Sequence, residues 1–307
     1  MLKHKSIFKL ILGIGVLFTA SCKKDAVVVE LPTFDDVVKQ QSLNMFNTAV
    51  EKANLQDFKM GGGPFTWIAP TDAAFIAAGI TTDSLNKITP SALSYLMIYH
   101  LVNARYVGTD MIATNSTSRT TQLGTAIFSG LYKGKFYVNG GRIATSDVFI
   151  KNGVIHVSDA FLTPPQLRGN IGAILNSTGR HTLFIAALTR AGLLAQFSTA
   201  TVFTVLAPTD AAMTAAGYTL ANIATTATTV LADFCRYQYF NNVRLFTNDL
   251  ASTTTFATAL GSNRYVFTSS DGTKVKGNSN ATPVNITVFN RLGTNGVVHE
   301  IDAILRP

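Results

Sequence analysis

The stretch Phe65-Thr-Trp-Ile-Ala-Pro-Thr-Asp-Ala-Ala-Phe75 occurs a second time, slightly altered, as Phe203-Thr-Val-Leu-Ala-Pro-Thr-Asp-Ala-Ala-Met213. The two copies begin 138 residues apart, at positions 65 and 203. A later segment, Asn152-Gly-Val-Ile-His156, likewise returns as Asn295-Gly-Val-Val-His299. This spacing is that of a whole domain, because solenoid repeats recur every ~20–50 residues. The sequence therefore predicts two similar domains in tandem.

Each copy of the first stretch predicts a strand followed by a helix. In the first copy, alternating apolar residues from Phe65 to Ala69 favour a short buried strand. Pro70 ends that strand because it has no N–H group to donate. Thr71 or Asp72 can then cap a helix that begins at Ala73. For Asp72 and the equivalent Asp210, a metal ligand or a catalytic acid is the alternative role.

Helical periodicity precedes this stretch in both copies, and strand-like segments follow it. The apolar helical positions are Leu43, Phe46, Val50, Ala53 and Leu55 in the first copy, and Leu183, Ala187, Leu188, Ala191 and Leu194 in the second. Later segments such as Lys135–Val138 and Tyr265–Thr268 alternate apolar and polar residues between glycine-containing turns. Helices first and strands later, without a strand–helix–strand rhythm, predict an α+β fold.

Both repeated motifs, together with Tyr99-His100 between them, resemble the signatures of the fasciclin-like (FAS1) family. The resemblance covers nearly all of residues 33–307. It implies two domains, each a β-wedge or sandwich of about seven strands packed with several α-helices. It also implies structural roles for the signature residues, which are Thr66, Pro70, Thr71, Asp72, Asn152, Gly153, Thr204, Pro208, Thr209, Asp210, Asn295, Gly296 and His299.

The family resemblance also implies a region for adhesion in the first copy. This candidate adhesion region comprises Tyr99, His100, Val154, Ile155 and His156. The second copy departs from the pattern, because Gln238 stands where the first has His100. We therefore expect any adhesive role of this pair to belong to the first copy.

The N-terminus predicts export and attachment to a membrane. Residues 1–21 have a charged head, a short apolar stretch and small residues, which is the build of a secretory signal peptide. Ala20-Ser21-Cys22 resembles a bacterial lipobox, so Cys22 is the predicted site of lipid attachment. An ordinary cleaved signal with an incidental cysteine is the alternative. By the same resemblance, lysine rather than aspartate at position 23 implies transfer to the outer membrane of a Gram-negative-type envelope.

The predicted boundaries follow from these features. Residues 22–32 form a lipidated tether, residues 33–164 the first domain and residues 168–307 the second. The boundary between the domains falls at Thr163-Pro164-Pro165-Gln166, where two prolines interrupt regular pairing.

Composition argues against several classes of function. The 25 basic and 17 acidic residues give a net charge of +8, but no basic run with interleaved aromatics suggests a nucleic-acid partner. The sequence has no HExxH, CxxC or calcium-loop pattern, so we expect no metal and no cofactor. Because no nucleophile, base and orienting group recur in both copies, we do not expect an enzyme. Cys235 lies in an apolar helical stretch and predicts a buried thiol.

Together these features predict a non-enzymatic envelope lipoprotein that binds a glycan, matrix or envelope protein through two weak modules. A structural scaffold lipoprotein that contacts other envelope proteins is the alternative. The membrane is contacted through the lipid only, and a weak homodimer is a further option. Whether the protein faces the periplasm or the outside stays open.

Overall fold

The structure is a computed structural model of the chain, and it describes residues 30–112, 117–252, 255–261 and 265–307. Cys22 and residues 1–21 lie outside the described residues. Residues 31–307 form one compact unit. Within this unit, elements between residues 34 and 158 make up the first module, and elements between residues 171 and 301 make up the second.

Helices dominate the first part of the first module, and strands dominate its last part. Its helices are α1 (Phe34–Gln40), α2 (Asn44–Lys52), α3 (Gln56–Met60), α4 (Asp72–Ala77), α5 (Thr82–Lys87), α6 (Pro90–Met97) and α7 (Gly108–Met111), with a 3-10 turn at Ile98–His100. Its strands are β1 (Phe65–Pro70), β2 (Leu101–Val102), β3 (Thr117–Thr120), β4 (Ala126–Tyr132), β5 (Lys135–Val138), β6 (Gly141–Ile150) and β7 (Gly153–Ser158).

The second module repeats this order after a 3-10 turn at Pro165–Leu167. Its helices are α8 (Ile171–Ser177), α9 (Thr182–Arg190), α10 (Asp210–Ala215), α11 (Leu220–Thr225), α12 (Thr228–Arg236) and α13 (Thr247–Ser252), with a 3-10 turn at Leu194–Ser198. Its strands are β8 (Phe203–Pro208), β9 (Tyr239–Asn241), β10 (Thr255–Ala257), β11 (Tyr265–Thr268), β12 (Lys274–Gly277), β13 (Val284–Gly293) and β14 (Gly296–Ile301).

Each module contains one mixed sheet of seven strands among the described residues. The strand order is β2-β1-β7-β6-β5-β4-β3 in the first and β10-β11-β12-β13-β14-β8-β9 in the second. Adjacent strands in each sheet pair antiparallel except for one parallel pair, which is β1 with β7 in the first module and β8 with β14 in the second. In the first module, Phe65 lies opposite Gly153 and Pro70 opposite Ser158. The α+β class and the two seven-stranded domains predicted from the sequence are confirmed. The central parallel pair was not predicted, because it joins segments far apart in the sequence.

The first module has two cores on opposite sides of its central strands. In one core, helices α1, α2 and α6 pack against Trp67, Ala69, Ile155 and Val157. In the other, Ile68 packs with Tyr99, Val138 and Ile143. The alternation along β1 therefore sends apolar side chains to both faces, because successive residues of a strand point to opposite sides.

Candidate functional site

The Pro-Thr-Asp segment of the first module connects two helices. Thr71 Oγ1 accepts a hydrogen bond from Ala74 N at 3.1 Å and so caps α4. The carboxylate of Asp72 instead reaches the start of α2, where Oδ1 accepts from Met45 N at 2.8 Å and Oδ2 from Asn44 Nδ2 at 3.3 Å. Free N–H groups at a helix start attract such a carboxylate. Thr71, and not Asp72, is therefore the cap of the helix that follows.

Asp210 repeats this arrangement in the second module. Its Oδ1 accepts from Leu183 N at 2.8 Å, and its Oδ2 accepts from Thr182 Oγ1 at 2.7 Å. Thr209 caps α10 by accepting from Ala212 N at 3.2 Å. Asp210 therefore has the same structural role as Asp72. It lies at the start of α10 and bonds to the start of α9, which fixes the position of one helix relative to the other.

The Asn-Gly turns anchor the central parallel strands. Asn295 Nδ2 donates to Phe197 O at 2.9 Å and to Thr199 O at 2.8 Å. Asn152 Nδ2 makes the equivalent bonds in the first module, to Phe58 O at 3.0 Å and to Gly61 O at 3.3 Å. Gly296 follows with φ +153°, and a Cβ atom there would overlap the carbonyl oxygen of Phe203. The turn therefore needs asparagine for its bonds and glycine for its space.

His156 connects three parts of the first module. Its Nε2–H donates to Tyr106 O at 2.9 Å, and its Nδ1 accepts from Asp147 N at 3.2 Å. Asp147 has a left-handed φ of +61°, in a part of β6 whose pairing register shifts. Thr66 holds the loop that contains Tyr106 in place, because its Oγ1 accepts a hydrogen bond from Tyr106 N at 2.8 Å. Burial, opposed by the bond to Tyr106, lowers the pKa of His156.

His299 occupies the equivalent place in the second module. Its Nε2–H donates to Leu245 O at 2.9 Å, and Nδ1 faces Asn290 N at 3.4 Å. Thr204 accepts from Leu245 N at 2.9 Å. Burial lowers the pKa of His299 to about 4. The repeated histidine is thus neutral at pH 7 and bonded at both nitrogens.

Tyr99 and His100 lie in the interior and are also saturated with hydrogen bonds. His100 Nδ1–H donates to Leu96 O at 3.0 Å, and its Nε2 accepts from Leu162 N at 3.0 Å. Tyr99 donates to Ala126 O at 3.0 Å. Burial lowers the pKa of His100 to about 4 and raises the pKa of Tyr99 to about 12. Both side chains are therefore uncharged parts of the core.

The candidate adhesion region is not a surface in this structure. Tyr99, His100, Val154, Ile155 and His156 each have 0% of their surface exposed. Side chains without exposed atoms cannot contact a macromolecule, so the prediction of a direct contact role needs correction. The physical reason is that the polar atoms of Tyr99, His100 and His156 bond to neighbouring loops and strands, while Val154 and Ile155 are buried apolar residues of β7.

The second module contains an ion cluster that sequence reasoning missed, in which the partly exposed Arg180 and Arg291 surround the buried His181 and Glu300. Glu300 has 0% of its surface exposed and lies 3.1 Å from Arg180 Nη2 and 3.3 Å from Arg291 Nη2. His181 Nε2 lies 3.9 Å from Glu300 Oε1. The positions of the first module that correspond to His181, Arg291 and Glu300 hold the apolar residues Leu43, Val148 and Val157. Aligning the two copies residue by residue would have revealed this exchange.

Contacts between the modules form a seam. Phe128 packs with Phe246, Leu292 and Val297 of the second module. The guanidinium of Arg244 lies 4.2 Å from the centre of the Phe128 ring, a distance at which a cation is attracted to an aromatic face. This seam, together with the turn at Pro165–Leu167, joins the two modules within one compact unit.

The remaining chemical predictions concern the thiols, metals and membrane. Cys235 is a free buried thiol, as predicted, and burial raises its pKa to about 12. In the described part of the chain, no three His, Cys, Asp or Glu side chains are grouped so as to hold a metal ion. No helix among the described residues is both long enough and apolar enough to cross a membrane.

Two mixed seven-stranded sheets with repeated Pro-Thr-Asp and Asn-Gly motifs define a tandem of one domain type. The fasciclin domain family matches residues 41–164 and 179–307. The chain therefore belongs to the fasciclin domain family.

Individual relatives match with lower coverage. The chain is 33% identical to protein sll1483 of Synechocystis sp. over 120 residues, which are 38% of this chain and 65% of that protein. It is 24% identical to transforming growth factor-beta-induced protein ig-h3 of Sus scrofa over 85% of this chain and 36% of that protein. A solved FAS1 domain pair from the insect cell adhesion molecule fasciclin I shares 17% identity, with a TM-score of 0.39 over 88% of this chain and 98% of that one.

Proposed function

We propose that this protein is a non-enzymatic adhesion lipoprotein of the bacterial envelope that binds glycan or matrix through two weak modules. Membership of the fasciclin domain family supports a binding role. The observation that carries the proposal is the use of the repeated polar residues. Asp72, Asp210, His156 and His299 are all engaged in bonds that hold the fold, which leaves them no free role in catalysis.

The seam supports a two-module mode of binding. When two weak sites are held in one body, engagement of the first raises the effective concentration of the second, and avidity exceeds either single affinity. Cys22 would add a third element, because acyl chains on one residue hold a protein at a membrane. The outer membrane is the proposed location.

Adhesion is tested by measuring binding of the purified chain to immobilised polysaccharides and matrix proteins. The expected result is weak, saturable binding by the two-module chain. A double variant, Phe128→Ala and Arg244→Gln, removes contacts of the seam. It should reduce avidity while each module remains folded. If no member of a broad panel binds, adhesion is wrong. A stable protein partner recovered by crosslinking in the envelope would then favour the scaffold alternative.

The anchor is tested separately with Cys22→Ser in the producing cell. We expect the wild-type protein to incorporate labelled fatty acid and to fractionate with the outer membrane, whereas the serine variant does neither. Protease treatment of intact cells then distinguishes an outward from a periplasmic location. Recovery of an unlipidated mature protein in the wild type would contradict the anchor and leave the adhesion proposal standing.

A further inference from the structure

A polar cavity of about 210 Å³ lies between the two modules. The first module contributes the turn at Asn139 and Gly140 and the segment from Ala160 to Thr163, and the second contributes Phe289 and Asn290 from β13. Arg168, in the connection between the modules, completes the lining. The cavity therefore exists only because the modules meet at the seam.

Arg168 is the one charged residue among the described residues that line this cavity. Its guanidinium makes a hydrogen bond from Nη2 to Thr163 Oγ1 at 3.2 Å. Burial and the like charge of Arg291 both lower the pKa of Arg168, and the group that opposes this shift is the phenol of Tyr99. Because that phenol is protonated at pH 7, it brings no negative charge to the guanidinium.

The neighbouring charges do not neutralise Arg168 either. Arg291 is itself paired with Glu300 at 3.3 Å. In the described part of the chain, no ion pair joins Arg168 to a carboxylate. A half-buried cation without a counter-ion is costly, and an oxyanion from outside removes that cost. Arginine also presents a planar fork of donors that fits a carboxylate in bidentate geometry.

The other polar side chains of the cavity are held in place by the fold. Asn139 accepts from Phe128 N at 2.8 Å and donates to Tyr99 Oη at 3.1 Å. Asn290 accepts from Thr247 N at 3.0 Å and donates towards Gly140 O at 3.4 Å, across the seam. The walls are therefore preorganised. Arg168 has five N–H donors and uses one of them on Thr163, so its guanidinium can donate to a ligand.

We propose that this interdomain cavity binds the carboxylate of a sugar acid, with the guanidinium of Arg168 as its counter-ion. The size favours one small unit, because pockets for drug-sized ligands are commonly about 300–1,000 Å³. A uronic acid at the end of an acidic glycan and the free acid share this chemistry. Only the choice of a glycan as the source rests on the proposed adhesive function.

The test is calorimetric titration of the full chain in detergent with sodium glucuronate, with glucose and sodium acetate as comparison ligands. Arg168→Gln should weaken glucuronate binding at least tenfold. Arg168→Lys keeps the charge but loses the fork, and should weaken it less. Arg190→Gln removes the same charge from an exposed position on α9 and should change binding less than twofold. Thermal unfolding of each variant confirms that the chain remains folded.

The outcomes separate this site from the proposed function. Glucuronate binding that survives Arg168→Gln, or glucose binding of equal strength, overturns the site, as does the absence of glucuronate binding to the wild type. Acetate binding as tight as glucuronate overturns the assignment to a sugar acid. Polysaccharide binding that is unchanged in Arg168→Gln removes the cavity from adhesion and leaves adhesion intact. Glucuronate binding without any polysaccharide binding supports the cavity and counts against adhesion.

Discussion

Gln238 makes in the second module the bonds that His100 makes in the first. Gln238 Oε1 accepts from Leu305 N at 3.0 Å, as His100 Nε2 accepts from Leu162 N at 3.0 Å. Gln238 Nε2 donates to Phe234 O at 3.2 Å, which corresponds to the bond from His100 Nδ1 to Leu96. The departure of the second copy from the family pattern is therefore a replacement of one donor–acceptor pair by another.

This equivalence predicts that His100→Gln is tolerated. We expect the free energy of unfolding to change by less than about 1 kcal/mol, because glutamine can satisfy the same two buried groups. His100→Ala is the matched control, and it should cost about 1–3 kcal/mol for each group left unsatisfied. Urea unfolding followed by the fluorescence of Trp67, the only tryptophan, measures the first module. An equal loss of unfolding free energy in both variants would show that these two hydrogen bonds do not determine the stability contributed by position 100.

Acid is expected to destabilise the protein through its buried histidines. Folded His100 and His299 have a pKa of about 4, below the ordinary value of 6.5, so the unfolded chain binds more protons between these values. Stability therefore falls as the pH drops from about 6.5 to about 4. The loss is on the order of 3 kcal/mol for each histidine.

The variant His100→Gln isolates this pH effect. It keeps the two hydrogen bonds but removes one titrating group, so its stability should fall less steeply than that of the wild type between pH 6.5 and pH 4. The comparison uses Trp67 fluorescence in urea at a series of pH values. Parallel curves for the two proteins would contradict the assigned role of His100.

Gly296→Ala is expected to disrupt the central strands of the second module. The added Cβ would overlap the carbonyl oxygen of Phe203, which belongs to the neighbouring parallel strand, and we expect a loss of at least ~3 kcal/mol. Gly217→Ala is the control, because Gly217 has φ +88° but nothing within 4 Å of the added atom. Strain alone should cost it about 1–2 kcal/mol. Circular dichroism melts would contradict the prediction if the two variants unfolded together.

The ion cluster of the second module is expected to be replaceable as a set but not in part. Glu300→Val removes the shared partner of Arg180 and Arg291, whose side chains are 53% and 31% exposed. Because water can solvate both guanidinium groups, we expect a loss of about 1–3 kcal/mol, the usual result of removing one partner of a hydrogen-bonded pair. The triple change His181→Leu, Arg291→Val and Glu300→Val restores the apolar residues of the first module. Such replacements are often neutral or stabilising.

Thermal melts of the two variants measure this difference. The triple variant should recover most of the stability lost by Glu300→Val alone, and Glu300→Gln, which removes only the charge, should be intermediate. A triple variant that is less stable than the single one would show that the cluster stabilises the module as a whole.

Much of the fold was determined by the sequence alone, because it rests on local and repeated features. The motifs at Phe65 and Phe203 established a tandem, and strand alternation and helical periodicity established the α+β class. The turn residues Ser270-Asp-Gly272 also predict a hairpin between Tyr265–Thr268 and Lys274–Lys276. These two segments pair antiparallel in the structure. These features depend on residues near one another in the chain, where spacing decides which face a side chain occupies.

Only the tertiary structure decided where the polar residues point. Asp72 caps a helix 27 residues earlier in the chain, and His100 bonds to Leu162, 62 residues later. The sequence indicated that such residues belong to the family signature, but it did not indicate that they are buried. The candidate adhesion region was therefore predicted from residues that form part of the core. The charge on Arg168 indicates a binding site only in the tertiary structure, because the cavity that it lines is formed by residues of both modules. The burial and the partners of these side chains depend on which distant segments pair in the fold. Local periodicity in the sequence does not encode that pairing.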